Sequence, residues 1–227
     1  MPPAPQESSP ASDSPARARF FAVVPAAGRS VRMGEPKLLL PWGKSTIIES
    51  VLAAWRASRV TRIVVVVHPA DARLAELCQS AGATVIQPEI PPPDMKASVR
   101  HAVAWLVAHE SPTDHDAWLL APADMPLVTT AVIDAVIAAH NMAAPSIVAP
   151  AANDRRGHPV LFPWPLSNEV AQLAENEGLN ALVKRHVVKE LPWQNAQEIL
   201  TDIDTPAEYQ ASQSRKTSRE GEAPAEP

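Results

Sequence analysis

The sequence has a single cysteine, Cys78, among 227 residues. One thiol cannot build an internal disulfide framework or a cysteine-rich zinc site. No apolar run approaches the roughly 20 residues that a membrane-spanning helix needs. The amino-terminal "MPPAPQESSPASDSPARAR" also lacks the apolar centre of a secretory signal. The resulting expectation is a cytoplasmic protein with no membrane partner. Positive charge is in deficit too: 20 Lys and Arg face 25 Asp and Glu, giving a net charge of −5 and a pI of about 5.8. That balance argues against a nucleic-acid-binding surface, although it is compatible with a local basic pocket. Only seven glycines occur, so glycines that fall close together carry information.

Proline is plentiful, at 25 residues, and several sit at the two ends. Residues 1–19 are rich in Pro, Ser and Ala without an apolar period, which reads as a disordered lead. The stretch 211–227 reads as a disordered tail of the same kind. One folded unit over 20–210 is left, and 46% hydrophobic residues supply it with a core.

Within that unit short β-branched runs alternate with helical patterns. "FFAVVPA" (20–26) and "RIVVVVH" (62–68) are continuous apolar strands, as expected where both faces of a sheet are covered. "ATVIQP" (83–88) and "AWLLAPA" (117–123) complete a set of four. Helical spacing appears over 45–58, 70–82 (ending on Gly82) and 98–110. This alternation predicts an α/β fold with right-handed βαβ units, a mainly parallel Rossmann-like sheet and helices on both faces. Beyond residue 141 the pattern changes to a hairpin over 146–162, two helical patterns (167–176 and 179–186), and "VVKELP", so the carboxy-terminal half is expected to be mixed.

Ligands of such sheets bind beyond the carboxyl ends of the strands. Three segments there carry unusual residues: 26–37, 88–98 and 122–126. The first, "AAGRSVRMGEPK", combines Gly28 and Gly34 with Arg32 and Lys37. Glycines let the backbone turn or approach a ligand, successive N–H groups form an anion-binding concavity, and the two cations supply charge. A polyphosphate would use both devices. It is not a Walker A loop, because Leu38 stands where the first glycine before "GKS" should be. It is not G-x-G-x-x-G either, because Ser30 follows Gly28 by two. Arg29 and Glu35 read as solvated.

Asp124, just past the fourth strand, fits a turn or cap ahead of Pro126 and Thr129 as well as it fits a Mg²⁺ ligand working with substrate phosphates. Asp202 and Asp204 precede a capping box in which Thr205 is the cap, Pro206 is N1 and Glu208 is N3. "DHD" (114–116) precedes a strand, at the wrong end of the sheet for a metal site, and reads as a solvated loop. His101, His109 and Cys78 read as structural.

The unbroken stretch "AAGRSVRMGEPKLLLPWG" closely resembles the signature loop of the cytidylyltransferases that act on molybdenum cofactor, within the nucleoside-triphosphate transferase superfamily of Rossmann-like fold. Three later segments resemble that family's motifs in the same order: "ADMPLV" (123–128), "GHPVLF" (157–162) and "DIDTPAEY" (202–209). The resemblance implies an enzyme that moves CMP from CTP to the terminal phosphate of molybdopterin, with pyrophosphate leaving. It implies catalytic roles for Arg32 and Lys37, with nucleotide contacts from Ala26, Ala27, Gly28, Ser30, Gly34, Met95 and Ser98. Asp124 and Asp204 would hold Mg²⁺, with Asp204 preferred over Asp202. The hairpin residues Arg156, Gly157 and His158 would receive an anionic acceptor, while Arg155 reads equally well as part of an exposed basic turn.

Two departures stand out: Pro25 replaces a leucine, and Asp94 occupies a glycine position in "PPPDMKASVRHAV". Asp94 must then point away from the nucleotide or pair with Lys96, itself a cation that could reach a phosphate. Ala27-Gly28, where guanylyl-transferring relatives tend to have Gly-Gly, leans toward CTP over another NTP. The alternatives are a sugar or alditol phosphate acceptor, or a carrier that hands the cofactor to a molybdoenzyme without turnover.

Overall fold

The computed structural model describes residues 17–222, with side chains through residue 214; residues 1–16 and 223–227 of the expected lead and tail lie outside this range. The elements run in order β1 (Phe20–Ala26), β2 (Pro41–Trp42), β3 (Ser45–Thr46), α1 (Ile47–Ala57), β4 (Arg62–Val67), α2 (Ala72–Ser80), β5 (Thr84–Ile86), α3 (Met95–Glu110), β6 (Ala117–Leu120) and α4 (Thr130–Ala138). The second half contains β7 (Ile147–Ala152), β8 (Arg155–Arg156), β9 (Val160–Pro163), α5 (Ser167–Gln172), α6 (Asn180–Arg185), β10 (Val188–Pro192), α7 (Ala196–Leu200) and α8 (Pro206–Glu222).

The main sheet has the order β10-β7-β9-β6-β1-β4-β5, with β8 paired to β7. The β6-β1-β4-β5 half is parallel throughout. On the other side β9 runs antiparallel between β6 and β7, and β10 returns parallel to β7. The α/β expectation and the mixed second half both hold.

The strands alternate faces, and both faces are sealed. In β1, Ala22 and Val24 enter one cluster with Leu52, Trp55, Leu74, Ile133 and Ile137. Phe21 and Val23 enter the other with Leu106, Trp118, Phe162 and Leu182. That is why β1 and β4 are continuous apolar runs: a strand with no wet face has no position for a polar side chain. Local signals set the helix starts. Thr46 and Glu49 form a reciprocal capping box at α1. Asp71 caps α2 and Thr129 caps α4.

Two boundaries differ from the sequence expectation. Arg19, placed in the lead, is part of the fold: its guanidinium reaches Asp116 at 2.7 Å, and its backbone N–H donates to the same carboxylate at 2.8 Å. Asp116 is correspondingly no solvated loop residue. It is only 2% exposed and also accepts from the Thr113 N–H. Placing it one residue before a buried strand forces its carboxylate inward, where it must find donors. At the other end the boundary at 210 falls inside α8, which continues to Glu222.

Burial would raise the Asp116 pKa, but hydrogen bonds from Arg19 and Thr113 outweigh it and hold the group below the usual carboxylate range. A depressed folded-state pKa contributes stability that is present above the ordinary carboxylate value and is lost as pH falls through the folded one. Asp116→Ala should cost about 2–3 kcal/mol at neutral pH, because it strands buried donors. Asp116→Asn should show a smaller loss of stability on acidification than the wild type. Urea unfolding between neutral and acidic pH tests this, and equal acid sensitivity of the two proteins would refute it.

Candidate active site

The loop after β1 is an arch pinned at two points. Met33 and Leu38 bury their side chains in the core, while Val31, on the same loop, is 86% exposed. Ser30 and Gly34 take positive φ values of 50° and 78°, and the Ser30 carbonyl accepts from both Met33 N–H (3.0 Å) and Gly34 N–H (3.2 Å). Gly34 therefore closes the arch, where a side chain would be strained. Ser30 Oγ accepts from the Lys37 N–H at 3.3 Å, which fixes where the next turn begins.

Lys37 opens that turn and points back beneath the arch. Its ammonium donates to Asp124 Oδ2 and to Asp204 Oδ1, each at 2.6 Å. Arg32, 71% exposed, reaches from the arch to Asp204 Oδ2 at 2.6 Å. Three segments distant in sequence meet here. Asp124 lies just past β6, held by the Ala123 N–H donating to the Pro25 carbonyl. Asp204 is delivered alongside by the Ile203 N–H donating to the Asp124 carbonyl at 3.0 Å. The expected capping box follows at once: Thr205 and Glu208 cap α8, and Glu208 also accepts from the Asp204 N–H. Thr129, not Asp124, caps α4, so the cap reading of Asp124 falls away.

The charges around Lys37 do not balance. Burial works against its protonation, but the facing carboxylates outweigh it and hold the ammonium charged. Asp204, more open and touched by both cations, sits below its ordinary pKa despite partial burial. Asp124 is pushed up, by burial first and by the like charges of Asp204 and Asp202, against the pull of Lys37. Its Oδ1 is buried without a hydrogen-bond partner. An orphaned carboxylate oxygen beside two further carboxylates is a place short of positive charge, and it fits a divalent cation. Among the described residues no group of three or more His, Cys, Asp or Glu could hold a metal. Asp124 and Asp204 would therefore need substrate oxygens to complete a coordination shell.

Two clefts meet at this point. The larger, about 370 Å³, runs between the arch and the start of α3. It is lined by Ala26, Ala27, Gly28, Ser30, Arg32 and Lys37 from one side, by Met95 and Ser98 from the other, and by Asp124 and Asp204 at its floor. Gly34 does not line it. Asp94 also lines this cleft and caps α3, accepting from the Ala97 N–H at 2.7 Å, so neither expectation holds: it does not point away from the nucleotide segment and it does not pair with Lys96. Lys96 is the clearer correction. It is 5% exposed, and its ammonium donates to the carbonyls of Ala174 (2.6 Å) and Glu175 (3.0 Å). Arg100, one turn on, donates to the carbonyls of Val170, Ala171 and Leu173. Arg100 neutralises the carboxyl end of α5 and Lys96 ties down the turn that follows it; Lys96 does not face a phosphate.

The second cleft, about 220 Å³, shares Pro122 with the first and is lined by Arg155, Arg156, Gly157, His158 and Asp202. The hairpin is pressed against α7: a Cβ on Gly157 would lie 2.3 Å from the Ile199 carbonyl, and the His158 N–H donates to that oxygen at 2.9 Å. Arg156 pairs with Glu190 at 2.7 Å on the exposed rim. His158 is not a surface cation: burial lowers its pKa, and its Nδ1 faces the Leu120 carbonyl at 3.1 Å. Asp202 and Asp204, two residues apart, thus line different clefts.

A family model described as the MobA-like NTP transferase domain matches residues 22–191. The molybdenum cofactor cytidylyltransferase of Escherichia coli is 28% identical over 199 residues, covering 86% of this chain and 96% of that one. The 2-C-methyl-D-erythritol 4-phosphate cytidylyltransferase of Enterobacter is 41% identical over 98 residues, but the match spans 40% of this chain and only 42% of that relative. Among solved structures, Rv0371c of Mycobacterium tuberculosis is 28% identical with a TM-score of 0.73, covering 88% of this chain and 99% of that one. A second structure of it, in complex with manganese, matches at a TM-score of 0.71 over 87% of this chain and 99% of that one.

With a chelator present, Asp124→Asn should cost less than about 1 kcal/mol or raise the melting temperature, because Lys37 keeps Asp204 and one crowded charge is gone. A thermal melt checks this; a fall of many degrees would mean that the Asp124 charge is needed for folding.

Proposed function

We propose, from the premise that the chain belongs to the MobA-like NTP transferase family, that this nucleotidyltransferase moves CMP from CTP onto the terminal phosphate of a molybdopterin-type acceptor. Pyrophosphate is the other product. The observation that carries the reading is the convergence of Arg32, Lys37, Asp124 and Asp204 under a glycine-bearing arch, at the junction of two clefts.

CTP is supported by two sets of relatives that are both cytidylyltransferases and by Ala27-Gly28 in the arch. Coverage in sequence supports the molybdopterin-type acceptor. Similarity to the molybdenum cofactor enzyme runs through 96% of that relative. The matches to the erythritol phosphate enzymes span 25–55% of theirs. A sugar phosphate acceptor is the second reading, favoured by the higher identity of those shorter matches.

In the proposed reaction a phosphate oxygen of the acceptor attacks the α-phosphorus of CTP, and the bond to the pyrophosphate oxygen breaks. The nucleophile is already an anion, so no general base is needed; positioning and charge stabilisation carry the rate. The larger cleft holds the nucleotide, with backbone N–H groups near Gly28 toward the triphosphate. Arg32 and Lys37 offset the negative charge that grows on the leaving pyrophosphate. Gly28 leaves open space, since a Cβ there would touch no protein atom. Asp124 and Asp204 would hold Mg²⁺, a role supported by the orphaned Asp124 Oδ1 and by the manganese complex of Rv0371c. Bound there, the ion would neutralise and align phosphate oxygens.

The test is pyrophosphate release from CTP, GTP and ATP with Mg²⁺, with and without molybdenum cofactor. Cofactor-dependent release from CTP is the expected result, and Lys37→Ala should lower it by about 10² or more. Undiminished turnover in Lys37→Ala would sink the mechanism. Release driven by 2-C-methyl-D-erythritol 4-phosphate instead would move the acceptor and keep the chemistry.

A further inference from the structure

We infer that His158 and Asp202 form a pair of hydrogen-bond acceptors that selects the substrate of the second cleft by its N–H donors. This rests on the acceptor reading above and adds what that reading leaves open, namely which end of the acceptor these residues read. The geometry of the imidazole sets its role. Its Nδ1 lies 3.1 Å from the Leu120 carbonyl, and a carbonyl can only accept, so Nδ1 carries the hydrogen. In the neutral ring the lone pair is then on Nε2. Nε2 has no partner among the described residues and is not sealed from solvent. His158 lines the cleft and its other nitrogen is committed to the sheet, so the Nε2 edge is what the ring offers to a ligand.

Asp202 stands on the same cleft and is exposed. Its carboxylate accepts no hydrogen bond from any other described residue. Asp204, two residues on, is fully engaged by Lys37 and Arg32. Arg156 is paired with Glu190 at the rim. The cleft thus carries two kinds of group, the exposed cations Arg155 and Arg156 and the acceptors His158 and Asp202. An anionic end of a substrate is repelled from Asp202 and is drawn to Lys37 or to these arginines. The end that meets His158 and Asp202 must donate.

A 2-amino-4-oxopteridine suits this arrangement. Its 2-amino group and N3–H are adjacent, parallel donors that match the two oxygens of a carboxylate, as a guanidinium does. Replacing the 2-amino group by a carbonyl sets a lone pair against Asp202 and leaves the carboxylate half-unpaired.

The experiment titrates the full-length protein with pterin and with lumazine (2,4-dioxopteridine), following ligand fluorescence. Wild type should bind pterin at least about tenfold more tightly. Asp202→Asn, an exposed change that leaves the fold intact, should bring the two ligands within about twofold. His158→Asn retains a donor for the Leu120 carbonyl but removes the Nε2 lone pair, and should weaken pterin severalfold while leaving the KM for CTP unchanged. Equal affinities in the wild type, or a preference that survives Asp202→Asn, would overturn the inference while leaving the acceptor reading in place. If neither pteridine binds and 2-C-methyl-D-erythritol 4-phosphate drives pyrophosphate release, both fall together.

Discussion

One ammonium group organises the functional half of this molecule. Lys37 touches Asp124 and Asp204, which lie 87 and 167 positions away along the chain, and so joins the arch, the end of β6 and the entry to α8. An ion pair buried to this degree costs desolvation that its Coulomb attraction only partly offsets. Here one cation serves two carboxylates with a third nearby, so Asp124 keeps a buried oxygen without a partner. The cluster is a poor way to stabilise a fold and a sensible way to stay ready for a polyanion and its cation. Its geometry is held by hydrogen bonds to the backbone around it: Ile203 on the Asp124 carbonyl, Glu208 on the Asp204 N–H, and Ser30 on the Lys37 N–H.

The sheet explains why these groups can meet. Four parallel strands present their carboxyl ends on one edge, and both faces are dry. The buried positions of β1, β4 and β6 are apolar, and the charged groups of the site appear where β1 and β6 stop. The arch and Asp124 follow β1 and β6, which are hydrogen-bonded neighbours, so two segments remote in sequence emerge side by side. The antiparallel insertion of β9 beside β6 then brings Gly157 and His158 to the other flank of Asp124.

What could be read from the sequence divides along a physical line. Local and periodic signals were legible: the bounds of β1, the Thr205–Glu208 capping box, and a glycine-bearing arch after the first strand. Side-chain partnerships across long separations were not. Nothing near Lys96 indicates that it holds the turn after α5, because its partners are backbone carbonyls 78 and 79 residues away, and carbonyls leave no mark in a sequence. Asp116 looked solvated because it sits among polar neighbours; its burial follows from Arg19, 97 positions earlier. Lys37 was legible as a cation at a strand's end, but its pairing with both carboxylates was not. The charge of a residue is local information, whereas its counter-charge is tertiary.

His158 shows the same distinction in chemical form. In a hairpin beside two arginines it reads as one more cation for an anionic acceptor. In the folded chain its ring is held to the Leu120 carbonyl, burial disfavours its charged form, and its free edge accepts. The arginine beside it is turned outward to Glu190. A cleft that looked basic in sequence is, at its inner end, a place for donors. Arg155 and Arg156 line that cleft as exposed cations, while Lys37 and Arg32 gather positive charge on the nucleotide side of Asp124. That division gives the two clefts different chemistry: one gathers phosphate at the junction, and the other reads the uncharged part of whatever phosphate it is given. A transferase that must tell one phosphomonoester from another can do so only in the second, because the phosphate itself is common to them all.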